Sequence, residues 1–221
     1  MALRRTSATG ALALAGLLAA AGLARSVDDD WTLTDDVDGI RVWRKAVPGS
    51  EVLAFRGAAT VDVPLARLVG VLVLGDDAPA WVDRLAEASV LREMPDGRAI
   101  VYNRYDLRWP VQDRDYVLER SLALRSDDRV VTATFRSVEE PSAPARDCCV
   151  RAVSDPTQWR FRWLGPAQTL VEVEVFTDPK GSLPAWLVNA FQRDWPRNSI
   201  RNLVARARRA DAPLYPPAAA W

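Results

Sequence analysis

The chain has 221 residues, with 29 basic and 29 acidic side chains, nine tryptophans, two cysteines and no histidine. So even a charge balance gives no long-range field toward phosphate backbones and argues against a nucleic-acid partner. The missing imidazole excludes serine-histidine triads and most zinc hydrolase sites, while an apolar fraction of 49% supports one well-filled domain.

The first residues read as an address. Arg4 and Arg5 precede an Ala/Leu/Gly run from Gly10 to Leu23, with small residues around Ala21 and Ala24. That order is the layout of a secretory signal peptide, and the run falls short of the roughly 20 residues that a membrane-spanning helix needs. Residues 1–24 are expected to be a cleaved signal peptide and 25–30 a spacer. The mature protein, of net charge −2, is then periplasmic or secreted; an uncleaved membrane anchor is the alternative.

After the turn Asp38-Gly39, Ile40 and Val42 alternate with Arg41 in the manner of a half-buried strand, and a second strand is expected from Glu51 to Val61. Pro64 can open a helix, and Leu65, Leu68, Val69 and Leu72 recur at helical spacing, which predicts a helix over 64–74. A short helix around Ala78–Asp83 carries Trp81. From there the chain reads as antiparallel strands at 85–93, 98–108, 114–125, 129–137, 148–154, 157–164 and 168–177, separated by turn signals such as Pro95-Asp96-Gly97. Pro141 and Pro144 make 139–147 an irregular loop. Beyond Asp178-Pro179-Lys180-Gly181 the period becomes helical, with Ser182 placed to cap, Pro184 in the first turn and Pro196 expected to kink the helix. Residues 209–221, which hold Pro213, Pro216 and Pro217, are expected to form a flexible tail. Cys148 and Cys149 are adjacent. Neighbouring Cα atoms lie closer than the usual disulfide span, so two semi-buried thiols are expected, with a vicinal disulfide or redox pair as the alternative.

A long run of strands closed by one long helix has a particular packing solution. A curved sheet offers a concave apolar face, the helix buries its stripe there, and strong curvature leaves a hollow beneath it. The residues also carry a family resemblance. Trp109-Pro110-Val111-Gln112-Asp113-Arg114-Asp115-Tyr116-Val117 resembles the W/F-P-x-x-x-R-D-x-V stretch of START (StAR-related lipid transfer) domains. Asp178 to Asn189 resembles their D-P-G-G-x-I-P-x-W-L-x-N approach to the last helix, with Lys180 where many members have a second glycine. Asp38-Gly39-Ile40-Arg41-Val42-Trp43 is similar to their opening x-G-I-x-V-Y strand, and Trp81 stands where they carry a tryptophan after the early helices. The resemblance spans roughly residues 31–208. It implies an α+β helix-grip fold, a curved antiparallel sheet whose last helix closes a hydrophobic cavity for sterols, phospholipids, ceramides or similar molecules.

Parity then nominates the lining. On 116–124 the even positions are Tyr116, Leu118, Arg120, Leu122 and Leu124, so Arg120 shares an apolar face. It reads as a polar anchor for a ligand head, a structural buried ion pair or an edge arginine, and it matches the arginine that START domains carry after R-D-x-V. Glu172 and Asp106 are its candidate carboxylates; Arg104 stands where some members have an acid. On the preceding strand Val101, Asn103, Tyr105 and Leu107 share a face. Trp159, Phe161 and Trp163 make an inward aromatic stripe, for which core packing is the first reading, and Trp186, Phe191 and Trp195 lie on the closing helix. The Arg114-Asp115 pair is expected to brace the strand start as an ion pair. The ligand-binding set is therefore Arg120, Asn103, Tyr105, Leu118, Leu122, Trp159, Phe161, Trp186 and Phe191, with no catalytic residue, metal or cofactor.

The function expected is binding, and transfer, of a lipid or other hydrophobic small molecule by a monomer in transient contact with a membrane. Gly181 and Pro196 are candidate pivots of the closing helix. A helix-grip enzyme of the cyclase or hydrolase kind, acting on a hydrophobic substrate, and an envelope interaction protein with a vestigial cavity are the alternatives.

Overall fold

A computed structural model describes residues 30–107 and 109–221. The signal peptide expected over 1–24, and the spacer as far as residue 29, lie outside the described residues. The first two strands, β1 (Thr32–Val37) and β2 (Ile40–Lys45), make a hairpin. Its turn residues Asp38 and Gly39 both have positive φ, 55° and 74°, the pairing that matches strand twist in a two-residue hairpin. All of β1 except Asp35 is exposed, so it carries no alternation and gives periodicity nothing to read.

Next come β3 (Ala54–Val61), α1 (Leu65–Leu74) and α2 (Ala78–Trp81), then a meander of β4 (Leu85–Glu93), β5 (Ala99–Tyr105), β6 (Asp113–Arg125) and β7 (Val130–Ser137). Two short strands, β8 (Cys149–Arg151) and β9 (Val153–Ser154), precede the hairpin β10 (Thr157–Gly165) and β11 (Gln168–Val175). A last short strand, β12 (Thr177–Asp178), leads toward the helix α3 (Ala185–Ala207). Across the main sheet the order is β1-β2-β3-β11-β10-β7-β6-β5-β4, antiparallel at each step. The helices after β3 carry the chain to the far edge, the meander returns it to the middle, and β10–β11 fill the gap beside β3. The edge strand β4 shifts register twice against β5.

One face of this sheet is covered. Its inward side chains include Ala59 on β3, Val171 and Val173 on β11, Trp159 and Phe161 on β10 and Val131 and Ala133 on β7, all buried with Leu65, Leu68 and Val69 of α1 and Ile200 and Leu203 of α3 in one cluster. Helix α3 meets β3 closely because Gly57 faces its proline. A methyl group at Gly57 would stand 2.8 Å from Pro196 Cβ and 3.1 Å from Ile200 Cδ1. Helix formation runs through Pro196, which is buried in that contact. Among the described residues no helix is long and apolar enough to cross a membrane.

Several expectations need correction. Residues 209–221 are not a flexible tail: Ala212 and Ala218 are buried in the main core, Tyr215 N–H donates to Ala66 O at 2.9 Å, and a methyl at Gly70 would meet Pro213 O at 2.2 Å. The prolines prevent a helix without preventing packing. Ser182 does not cap α3; the helix starts after Pro184 with no side-chain cap. The stretch 148–154 is not one antiparallel strand. It divides into β8, parallel to β6, and β9, paired with β12 in a separate small sheet. Cys148 and Cys149 are bonded to one another instead of standing as two thiols.

Candidate functional site

The covered face is not filled across its width. Toward β5 and β6 the helices leave a hollow in two adjoining lobes that share lining residues. The outer one, about 140 Å³, lies under the first half of α3 and the segment that precedes it. The inner one, about 290 Å³, runs beneath α1 and α2. Each lobe offers roughly ten to twenty times the space one water needs. Tyr105, Leu118, Thr157 and Trp195 border both, so they form a waist between them. Trp195 meets Trp159 edge-on with centroids 6.2 Å apart, and Tyr105 meets Tyr116 likewise at 5.6 Å.

Strand alternation builds the sheet wall. Val101, Asn103, Tyr105 and Leu107, which share a face in β5 and just beyond it, all line the hollow, as do Tyr116, Leu118 and Arg120 of β6. Arg120 is 9% exposed at the inner lobe. Its Nη1 donates to Val73 O at 2.7 Å and its Nη2 to Glu93 Oε1 at 3.3 Å. The carboxylate beside it is therefore Glu93, across β5 on the edge strand, and neither Glu172, which faces Arg160, nor Asp106. Arg104 is paired with Asp113 at 2.6 Å and Glu87 at 3.4 Å on the outer face. Among the described residues Arg120 Nε has no hydrogen-bond partner, and neither do Nε1 of Trp81 and Oγ of Ser199, two residues that border the same lobe.

Arg114 and Asp115 do not pair with each other. Successive strand residues point to opposite faces, and the two separate accordingly. Arg114, 4% exposed, donates to the carbonyl oxygens of Gln112, Pro179 and Lys180 at 2.6, 2.9 and 3.0 Å and borders the outer lobe. Burial pulls its guanidinium below the ordinary arginine value. Asp115, fully buried, accepts a two-pronged bond from Arg151 at 2.9 and 3.0 Å. Burial also pushes the Tyr116 phenol up to about 12.

Of the nine residues nominated from the sequence, Arg120, Asn103, Tyr105, Leu118, Trp159 and Phe191 border the hollow. Leu122 packs beside the solid core and Phe161 is fully buried within it. Trp186 is 71% exposed. Two residues along a helix is just over half a turn, so with Val188 turned inward Trp186 must face out. Trp195, named on the closing helix but left out of the ligand set, borders both lobes, and sequence reasoning missed Gln192 and Ser199 beside it, along with Thr157 and Trp81; the spacing of Val188, Gln192, Trp195 and Ser199 places them along one side of a helix.

A family model described as START domain matches residues 19–212. An uncharacterized protein of Pseudomonas aeruginosa is 28% identical over 181 residues, covering 82% of this chain and 88% of its own. START domain-containing protein 10 of Mus musculus is 29% identical over 161 residues, 72% of this chain, which spans only 55% of that relative's length. The crystal structure of a STAR-related lipid transfer protein from Xanthomonas axonopodis superposes with a TM-score of 0.72 at 25% identity, over 82% of this chain and all of that one. Both share the covered antiparallel sheet and terminal helix.

Proposed function

This chain belongs to the START domain family, and from that premise we propose that it is a lipid carrier whose inner lobe receives a head rich in hydrogen-bond acceptors. The observation that carries this reading is one apolar hollow bordered by Arg120, Trp81 and Ser199, whose Nε, Nε1 and Oγ atoms are buried without a hydrogen-bond partner among the described residues. A buried donor left unmatched costs about 1–3 kcal/mol. A carboxyl, phosphodiester or ester oxygen placed there offsets that cost, while the lipid's apolar part crosses the Trp195 waist and gains about 25 cal/mol for each Å² withdrawn from water. The likeness to the Xanthomonas STAR-related lipid transfer protein supports the same class of cargo.

The carrier acts as a single copy outside the cytoplasm. The Cys148–Cys149 disulfide supports that location, because such bonds persist in oxidising compartments. Contact with a membrane is made by the rim of the outer lobe. Trp109 and Trp186 are 93% and 71% exposed on segments whose neighbours Leu107 and Leu183 line that lobe, and indole rings favour the membrane–water interface. Replacing both tryptophans with serine is expected to slow pickup of a fluorescent phosphatidylcholine from vesicles, with little change in thermal stability.

The decisive test is mass spectrometry of molecules extracted from protein purified from its own host. A stoichiometric amphiphile with an acceptor head supports the proposal. Protein that comes out empty and takes up no fluorescent lipid overturns it, and chemical turnover of the extracted molecule points instead to a helix-grip enzyme.

A further inference from the structure

We propose that Cys148–Cys149 is a redox-modification site, reduced by a dithiol, and that its opening loosens the segment 179–183 at the cavity mouth; the second half of this rests on the carrier reading. The bond joins neighbouring residues where β8 begins. Cys148 is exposed and Cys149 half-buried, so an attacking thiolate reaches the pair. Exchange starts with attack on Cys148 Sγ, with Cys149 Sγ leaving as a thiolate that takes up a proton. The reductant's second thiol then displaces Cys148 as a thiol. The protein gains two electrons and two protons, and the dithiol becomes a disulfide.

The position of the pair links it to the mouth. Upstream, Arg146 is fixed by Glu87, at 3.0 and 3.1 Å, and lies over the Tyr102 ring at 4.1 Å. Downstream, Arg151 is fixed by its two bonds to buried Asp115. Between these anchors the ring at 148–149 sets how Val150 is presented. Val150 pairs with Arg114 in the parallel ladder, and its two methyl carbons would stand 3.7 and 3.9 Å from a methyl on Gly181. Arg114 holds the carbonyls of Pro179 and Lys180 in the same turn, and Pro179 and Leu183 border the outer lobe. Closing the smallest disulfide ring a chain can make removes backbone freedom at 148–149. Opening it returns that freedom to the only stretch between the anchors, where Val150 supports the turn.

The test uses the full chain, purified without reductant, alone and loaded with a fluorescent phosphatidylcholine from vesicles. Before dithiothreitol no cysteine is expected to alkylate; after it both do. Reduction is expected to raise amide exchange over 149–152 and 179–184 by about tenfold, the scale of freeing one backbone residue, and to speed release of the probe by a similar factor. The Cys148→Ser/Cys149→Ser variant should match the reduced protein and ignore dithiothreitol. Alkylation before reduction overturns the proposal, as does unaltered exchange at 179–184, or unaltered release by a form that binds the probe. If neither form binds the probe, the carrier reading fails and amide exchange alone decides the redox site.

Discussion

Over β2, β3 and β11 the terminal helix lies flush on the sheet, whereas over β5 and β6 the same helix stands off and leaves the two lobes. At the flush end Gly57 removes a side chain where Pro196 and Ile200 arrive, and α1 completes the packing around Phe161. At the other end Val101, Leu118 and Phe135 look into space bounded by Trp195, Gln192 and Ser199 of α3. The two ends differ less in apolar content than in whether a partner reaches them, so a cavity here results from helix placement rather than from polar walls.

The comparison can be broken most forcefully at its solid end. Phe161→Ala is expected to cost about 3–5 kcal/mol in urea denaturation, the range for a fully packed aromatic, whereas Leu118→Ala, beside existing space, should cost under about half of that. Gly57→Val drives a branched side chain into the proline contact and is expected to cost about 1–3 kcal/mol, read as a lower melting temperature. At the hollow end Arg120→Met should weaken binding of a head-bearing lipid about tenfold, the worth of one bond to a charged group, and leave binding of a headless hydrocarbon dye unchanged. The last effect is confined to alkaline pH. Burial raises the Tyr116 phenol from 10.0 to about 12 in the folded protein, so its contribution is fully present below pH 10, where both states hold the proton. It is lost as the pH rises through 12, because the unfolded chain ionises first. Tyr116→Phe should flatten that decline in denaturation midpoints measured against pH.

How much of this was legible in the sequence follows the same division. The period of two placed Val101, Asn103, Tyr105, Leu118 and Arg120 on one face, because alternation alone decides which way a strand residue points. The glycine and proline spellings at 38–39 and 178–184 marked the turns. Partner choice was not legible. Glu93 reaches Arg120 across the intervening strand β5, and the register that brings it there includes two shifts between β4 and β5. The face that α3 turns inward was also hidden, since Gln192 and Ser199 interrupt its apolar stripe, and Trp186 looked inward only because it is large and apolar. Prolines at 213, 216 and 217 suggested a loose end, yet the alanines that flank them, Ala212 and Ala218, are buried and Pro213 O lies against Gly70 of α1.

The neighbouring of β3 and β11, where Val61 lies beside Thr169, sets an order of events during folding. The β4–β7 meander can pair early, each strand meeting its neighbour in sequence. The β1–β3 ribbon has to wait with one margin unsatisfied until β10 and β11 appear, more than a hundred residues later. Such distant pairing is slow and leaves a sticky margin in the meantime, so the half that ends up most tightly packed is the last to be sheltered.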